Sequence, residues 1–395
     1  MSILSAATQL VAVQLNLIVE QGGVEGEEEG EEAMEDAARP HVHQEGTRRR
    51  LRRPRVFKPR TNFLDMSDQE MLKRFRLDRA AILELGDILK GDLESRTRRC
   101  HAVPHHLKIL GALSFYANGS FQRLSGDRLG LSQSTISRAV CQVTDALVKK
   151  VTDYISLPLT SQQQLKIQKE FCDIAGFPRV LGAIDCTHVA IRAPSQDADL
   201  YIGHKKSHSV NMQVICDASG IIWNVCAKFP GSFQDSYILS KSSIYKIFEG
   251  NDAPDGILLG DASYSIKPWL MTPIANLRTH AEQKYNEAHS STWKVIKRTL
   301  GLLKTRFCCL DKSKGVLQYN PEMVCKIFVA CCMLHNIAVR RRLINDQDQD
   351  GIHAEKEEGS DSQEDAPDPP VSELNTACEQ DGYKVRNQLI DKCYS

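Results

Sequence analysis

The hydrophobic period changes once along this chain, at Phe177-Pro178, and that change limits what it can fold into. From about Met66 to Val151, apolar residues recur at helical spacing: Met71–Leu89, His106–Phe115 and again after Ser132. Beyond Phe177 the runs are short, buried in character and bounded by turn signals. Arg179-Val-Leu-Gly-Ala-Ile-Asp185 ends on an acid and continues as Thr187-His-Val-Ala-Ile-Arg192. Asn211–Asp217 and Ile221–Phe229 flank Ala218-Ser-Gly220, which reads as a hairpin. Asp235–Phe248 returns to helical spacing, and Gly256-Ile-Leu-Leu-Gly-Asp261 is a second short run ending on an acid. Trp293–Phe307 reads as a basic amphipathic helix and Met323–Arg340 as a long apolar one. A helical unit followed by strands, a helix, a further strand and closing helices predicts an α/β layer of ribonuclease-H-like type behind an all-α segment.

Charge divides the chain further. Its 50 Lys and Arg balance 50 Asp and Glu, but residues 25–36 hold eight acids and no base, and residues 346–368 hold ten acids against Lys356 alone. The remainder carries a formal charge of +17, which suits a polyanionic partner such as DNA. Residues 48–60 contain eight bases and no acid: Arg48, Arg49, Arg50, Arg52, Arg53, Arg55, Lys58 and Arg60. Such a run reads as a nuclear-import or phosphate-binding patch, with a solvated linker as the plainer alternative. The expected organisation is therefore a disordered acidic-then-basic segment (1–60), a helical domain (61–160), an α/β domain (161–342) and an acidic, mostly disordered tail (343–395). The expected residence is the nucleus, with a cytoplasmic pool.

Several classes fall away. No apolar run reads as long enough to cross a bilayer, so no membrane partner is expected. The 13 cysteines are an odd number at no disulfide-like spacing, and no C-x-x-C occurs, so they read as core residues of a reducing compartment.

Within the helical part, Phe121–Val140 has the pattern of a helix-turn-helix. Ser120 can cap a short helix, Gly130 permits a tight turn, and Ser132 caps a second helix carrying Ile136, Val140 and Val143 inward. Gln133, Ser134, Ser137 and Arg138 then face outward as candidate DNA contacts. An ordinary helical hairpin is the alternative.

The candidate chemistry lies in the strand-end acids. Asp185 and Asp261 on adjacent strands could share one or two Mg²⁺ or Mn²⁺ ions, because hard cations prefer carboxylate oxygen. A single strand-end acid is more often a turn former.

Taken in order, Ala183-Ile-Asp-Cys-Thr-His188, Asn211-Met-Gln-Val-Ile-Cys-Asp217, Pro230-Gly-Ser-Phe-Gln-Asp-Ser236, Leu258-Leu-Gly-Asp-Ala-Ser-Tyr264, Trp269-Leu-Met-Thr-Pro273, Tyr285-Asn286 with His289, and His335-Asn-Ile337 resemble the PIF/Harbinger-type DDE transposases and their domesticated nuclease relatives. The likeness runs from about Phe75 to about Ile337. It implies a ribonuclease-H-like nuclease fold, a divalent metal, phosphodiester hydrolysis, and a separate Myb/SANT-like adaptor protein. On this chain the first family acid falls on Asp185 and the second on Asp261, while the third position holds Lys297. No acid lies between Glu287 and Asp311 to replace it. The Lys297 ammonium would repel a second metal ion and could pair with Asp185 or Asp261. Asp235, with Gln234 where the family often has His, is expected to cap a helix or approach the metal. Two functions remain: a divalent-metal-dependent endonuclease, with Asp185 and Asp261 as ligands, or a non-catalytic DNA-binding or chromatin-associated protein that kept the fold.

Overall fold

A computed structural model describes residues 13–14, 59–60, 65–94, 102–119, 122–203, 206–250, 253–343 and 376–394. The two acidic stretches, the basic residues 48–58 and Ser120 lie outside the described residues.

Among the described residues, the two-residue strand β1 (Val13–Gln14) is followed by five helices: α1 (Asp68–Phe75), α2 (Arg79–Leu93), α3 (His105–Asn118), α4 (Gln122–Leu129) and α5 (Gln133–Val148). Their ends follow local sequence. Ser67 and Glu70 form a reciprocal capping box at α1, and Asp78 caps α2. The expected single run Met71–Leu89 is thus two helices, interrupted where Arg76 ends α1 in a left-handed conformation. Gly130 turns the chain at φ +69°, and the Ser132 hydroxyl accepts from Thr135 N to start α5.

After α6 (Ser161–Ala175) the chain enters the sheet. Strands β2 (Val180–Ala190), β3 (Ser209–Cys216) and β4 (Ile222–Pro230) form an antiparallel meander, with Gly220 at φ +79° in the tight turn between β3 and β4. Helices α7 (Asp235–Ser240) and α8 (Ser243–Phe248) then carry the chain over to β5 (Ile257–Leu259), which runs parallel to β2. The short β6 (Leu270–Met271) lies beyond it. The expected single helix 235–248 is therefore two, split where Ser242 caps the second.

The two-residue β1 (Val13–Gln14) pairs its backbone parallel to β4 and completes the order β1-β4-β3-β2-β5-β6. It lies within the segment expected to be mostly disordered, and it pairs two positions of the β4 edge, Val225 and Cys226, whose backbone groups would otherwise face outward. Every residue of β3 is buried, so both faces of the sheet are covered.

Helix α9 (His280–Arg306) begins at a Thr279–Glu282 capping box, well before the expected start at Trp293. Helix α10 (Pro321–Arg340) corrects another reading. It is long and apolar enough to cross a membrane by length and composition, yet most of it is packed inside the protein, against β4, β3 and α5. Buried residues of the helical segment and of the sheet belong to one continuous core.

Residues Thr376–Cys393 form α11, which packs on α9 and β6. It buries Ile390 and brings Tyr394 edge-on to Tyr285 and beside Phe177. Composition hid this helix, because its few apolar residues (Val385, Leu389, Ile390) follow a long acidic stretch.

Candidate active site

Strand register builds the site. Ala183 on β2 pairs with Leu259 on β5, so Asp185 and Asp261 lie two residues further along neighbouring parallel strands. Asp261 follows the end of β5, but Asp185 is not the strand-end acid expected, because β2 runs on to Ala190 and pairs Asp185 with Val214 of β3. Asp185 is 2% exposed. Burial pushes its carboxyl up to about 7; the Lys297 charge opposes that rise, and the Asp261 and Asp235 charges add to it.

Lys297 Nζ lies 2.9 Å from Asp185 Oδ2. The lysine is positioned by α9, because Trp293, one turn earlier, donates its indole N–H to Ile184 O at 3.1 Å and locks the helix onto β2. The ammonium also lies 4.9 Å from the centre of the Trp293 ring, a cation–π contact that holds it over the site.

Asp261 is half-buried. Its Oδ1 accepts from the Ser263 backbone N–H at 3.1 Å and from the Ser263 hydroxyl, the pattern of a turn-forming aspartate. Asp235 is the first residue of α7 but does not cap it, and the preceding Gln234 makes no side-chain cap either. Instead the Asp235 carboxylate turns toward the sheet and accepts from Asn211 Nδ2 at 2.9 Å. Burial raises its pKa, with the Asp261 charge contributing in the same direction. Three carboxyls and one ammonium thus share one electrostatic neighbourhood.

Two residues beside them escaped the sequence reading as partners. Cys186 Sγ lies 3.3 Å from the Tyr264 hydroxyl, which ties the residue after Asp185 to the loop after Asp261. The available signal was their adjacency to the two acids.

The donor set does not fit a two-metal pair. A carboxylate in contact with an ammonium has that oxygen's charge already compensated, and among the described residues no group of three or more His, Cys, Asp or Glu side chains converges as metal ligands.

Much of the remaining family pattern is scaffolding. Tyr285 donates to Thr272 O at 3.1 Å, Asn286 exchanges two bonds with the Ile274 backbone at 2.9 Å, and His289 Nε2 donates to Met271 O at 3.1 Å. Together they stitch α9 to residues 271–274. On α10, His335 Nε2 donates to Gly220 O at 3.0 Å, and Asn336 accepts from Ile222 N and donates to Ile222 O. That pair fastens the β3–β4 turn.

Away from the strands, Gln133, Ser134 and Arg138 are exposed at the start of α5 and Ser137 is half-buried. Arg138 Nε donates back to Ser134 O at 3.2 Å.

The DDE superfamily endonuclease family matches residues 184–336. "Putative nuclease HARBI1" of Mus musculus is 42% identical over 275 residues, 70% of this chain and 79% of the relative. The Xenopus laevis protein of the same name is 39% identical over 280 residues, 71% and 80% of the two chains. The Arabidopsis thaliana protein named Antagonist of Like Heterochromatin Protein 1 is 27% identical over 245 residues, 58% and 61% of the two chains. No solved structure matches significantly.

Proposed function

Because this chain belongs to the harbinger transposase-derived nuclease family, and carries an ammonium where that family's third acid is expected, we propose that it is a DNA-binding protein of nuclease descent in which Lys297 holds phosphodiester hydrolysis off. One observation carries the reading: the 2.9 Å contact between Lys297 Nζ and Asp185 Oδ2. The strand order β4-β3-β2-β5, with a helical crossover into a parallel β5, supports a ribonuclease-H-like core. The Gly130 turn, the capped α5 and its exposed Gln133, Ser134 and Arg138 support a helix-turn-helix that lays α5 against DNA. A charge of +17 outside the acidic stretches supports binding dominated by phosphate contacts. A relative named for antagonism of a heterochromatin protein supports a chromatin-associated role. Nuclear residence with a cytoplasmic pool, and a Myb/SANT-like adaptor as partner, complete the proposal.

Duplex binding and plasmid nicking test it together. Affinity should fall steeply with salt, Arg138→Ala should weaken it, and deletion of residues 346–368 should strengthen it. In Mg²⁺ or Mn²⁺, wild-type protein should nick no faster than Asp185→Ala. Robust wild-type cleavage would overturn the proposal.

The second reading is an active metal-dependent endonuclease that uses Asp185, Asp261 and Asp235. It draws on the electrostatic coupling of Asp235 to Asp261, and it requires cleavage that Asp235→Ala abolishes.

A further inference from the structure

Far along the chain from the carboxylates, α1, the end of α3 and α4 enclose a cavity of about 490 Å³ lined by Glu70, Lys73, Arg74, Arg76, Asn118 and Arg128. Four of the six are cationic. The single acid is already engaged, with Glu70 Oε1 3.2 Å from Arg74 Nη2 and Glu70 Oε2 in the Ser67 capping box. Asn118 spends its amide N–H on Ser114 O at 2.8 Å.

Arg76 is the unusual member. It is 6% exposed, and its Nε and Nη1 are buried without a hydrogen-bond partner in the protein. A buried guanidinium with open donors is costly unless an anion meets it, since charge removed from water must be paired. Its backbone is unfavourable too. Arg76 closes α1 at φ +63°, a left-handed position where glycine or asparagine is usual, and a longer side chain there carries strain. Leu77, next in the chain, is wholly buried, so the turn is fixed by packing and directs the arginine inward.

We propose that this cavity is a phosphate-binding site with Arg76 as its buried anchor. The planar fork of a guanidinium matches two phosphate oxygens, and Lys73 and Arg128 add charge at the rim. The phosphate can come from the DNA backbone or from a soluble polyphosphate. The backbone is favoured because Arg128 lies two residues before the Gly130 turn, on the helix that crosses the backbone in a helix-turn-helix; that choice alone rests on the DNA-binding reading.

The test is thermal unfolding and calorimetric titration of the full chain with inorganic pyrophosphate, against chloride at matched ionic strength. At a hundredfold excess over Kd the wild-type melting temperature should rise on the order of 5 °C. Arg76→Met should lose at least tenfold in pyrophosphate affinity while melting no lower than wild type without the anion, because it removes an unpaired buried charge. Should Arg76→Met fail to fold, Lys73→Gln on the exposed rim must still weaken the anion effect. Equal shifts in pyrophosphate and chloride, or an unchanged shift in both variants, overturn the proposal whatever DNA does. If the site holds a backbone phosphate, pyrophosphate competes with duplex, and Arg76→Met reduces the salt slope of DNA binding by about 0.9. If pyrophosphate binds and duplex affinity is untouched, the site is supported with a soluble polyphosphate as its ligand.

Discussion

Lys297 and Asp185 form an asymmetric ion pair: the lysine side chain is 46% exposed and the carboxylate 2%. Most of the desolvation therefore falls on Asp185, whose pKa stays high even with a cation 2.9 Å away. The pair costs the carboxylate its hydration and gives the site a fixed positive charge.

Exchanging that charge should restore metal affinity. An opposed unit charge at about 4 Å is worth about 4 kcal/mol at an effective dielectric of about 20. Even halved for solvent around the half-exposed lysine, this exceeds the roughly 1.4 kcal/mol of a tenfold change. Lys297→Glu should bind Mn²⁺ at least tenfold more tightly than wild type by calorimetry, and Asp185→Ala in that background should remove the gain. Equal affinities in wild type and Lys297→Glu would show that the ammonium does not control the site.

Asp185 should make stability fall as pH rises. Its folded pKa of about 7 lies above the reference value of 3.8, so between these the native state holds a proton that the unfolded chain has released. Its contribution is fully present below about pH 4 and is lost as pH rises through 7. The difference in unfolding free energy between wild type and Asp185→Asn should change by about 4 kcal/mol over that window and level off above it. Lys297→Met should move the upper edge higher, because the opposing cation is gone. A flat difference in urea titrations from pH 4 to 8 would contradict this.

The buried histidines work with the opposite sign. Burial holds His289 down to about 4 and His335 down to about 3, both below the reference 6.5. His335 is kept neutral by its neighbours, because its Nδ1 accepts from Arg306 Nη1 at 3.4 Å while Nε2 donates to Gly220. As pH falls below 6.5 the unfolded chain takes up protons that the native state refuses, so stability is lost. Each should cost about 2 kcal/mol between pH 6.5 and 5. His335→Gln should melt lower than wild type at pH 7 yet lose less on acidification, as read by calorimetry with Asp185→Asn in both backgrounds.

The basic run should direct the chain to the nucleus. Replacing Arg48, Arg49, Arg50, Arg52, Arg53, Arg55, Lys58 and Arg60 with Gln should move a fluorescently tagged protein toward the cytoplasm in cells without the adaptor. An unchanged distribution, with and without the adaptor, would reduce the run to a linker.

Local order was legible where it rests on short-range chemistry. The change of period at Phe177-Pro178 marks the entry into the sheet, and the Gly130 turn and Ser132 cap lie where the residues put them. The equally local reciprocal caps Ser67–Glu70, Thr160–Gln163 and Thr279–Glu282 went unread. The break at Arg76 carried no Gly or Pro to announce it. Helix α11 was hidden because its apolar stripe is short and its neighbours are acidic. Asp235 was expected to cap α7, yet its carboxylate bonds to Asn211 on β3, a choice that depends on how α7 lies against the strand.

The identity of Lys297 is a property of the sequence alone: no acid lies within two helical turns on either side, so no local adjustment supplies a third carboxylate. That Lys297 engages Asp185 was decided by tertiary structure, through the Trp293 bond that seats α9 on β2. The same holds for Arg76, whose burial follows from the packing of α1 against α3 and not from its own polar neighbours. Caps and periodicity act over one turn of chain and can be read from neighbours. Charge pairing and burial depend on distances between elements far apart in sequence, which exist only once the core has set the register.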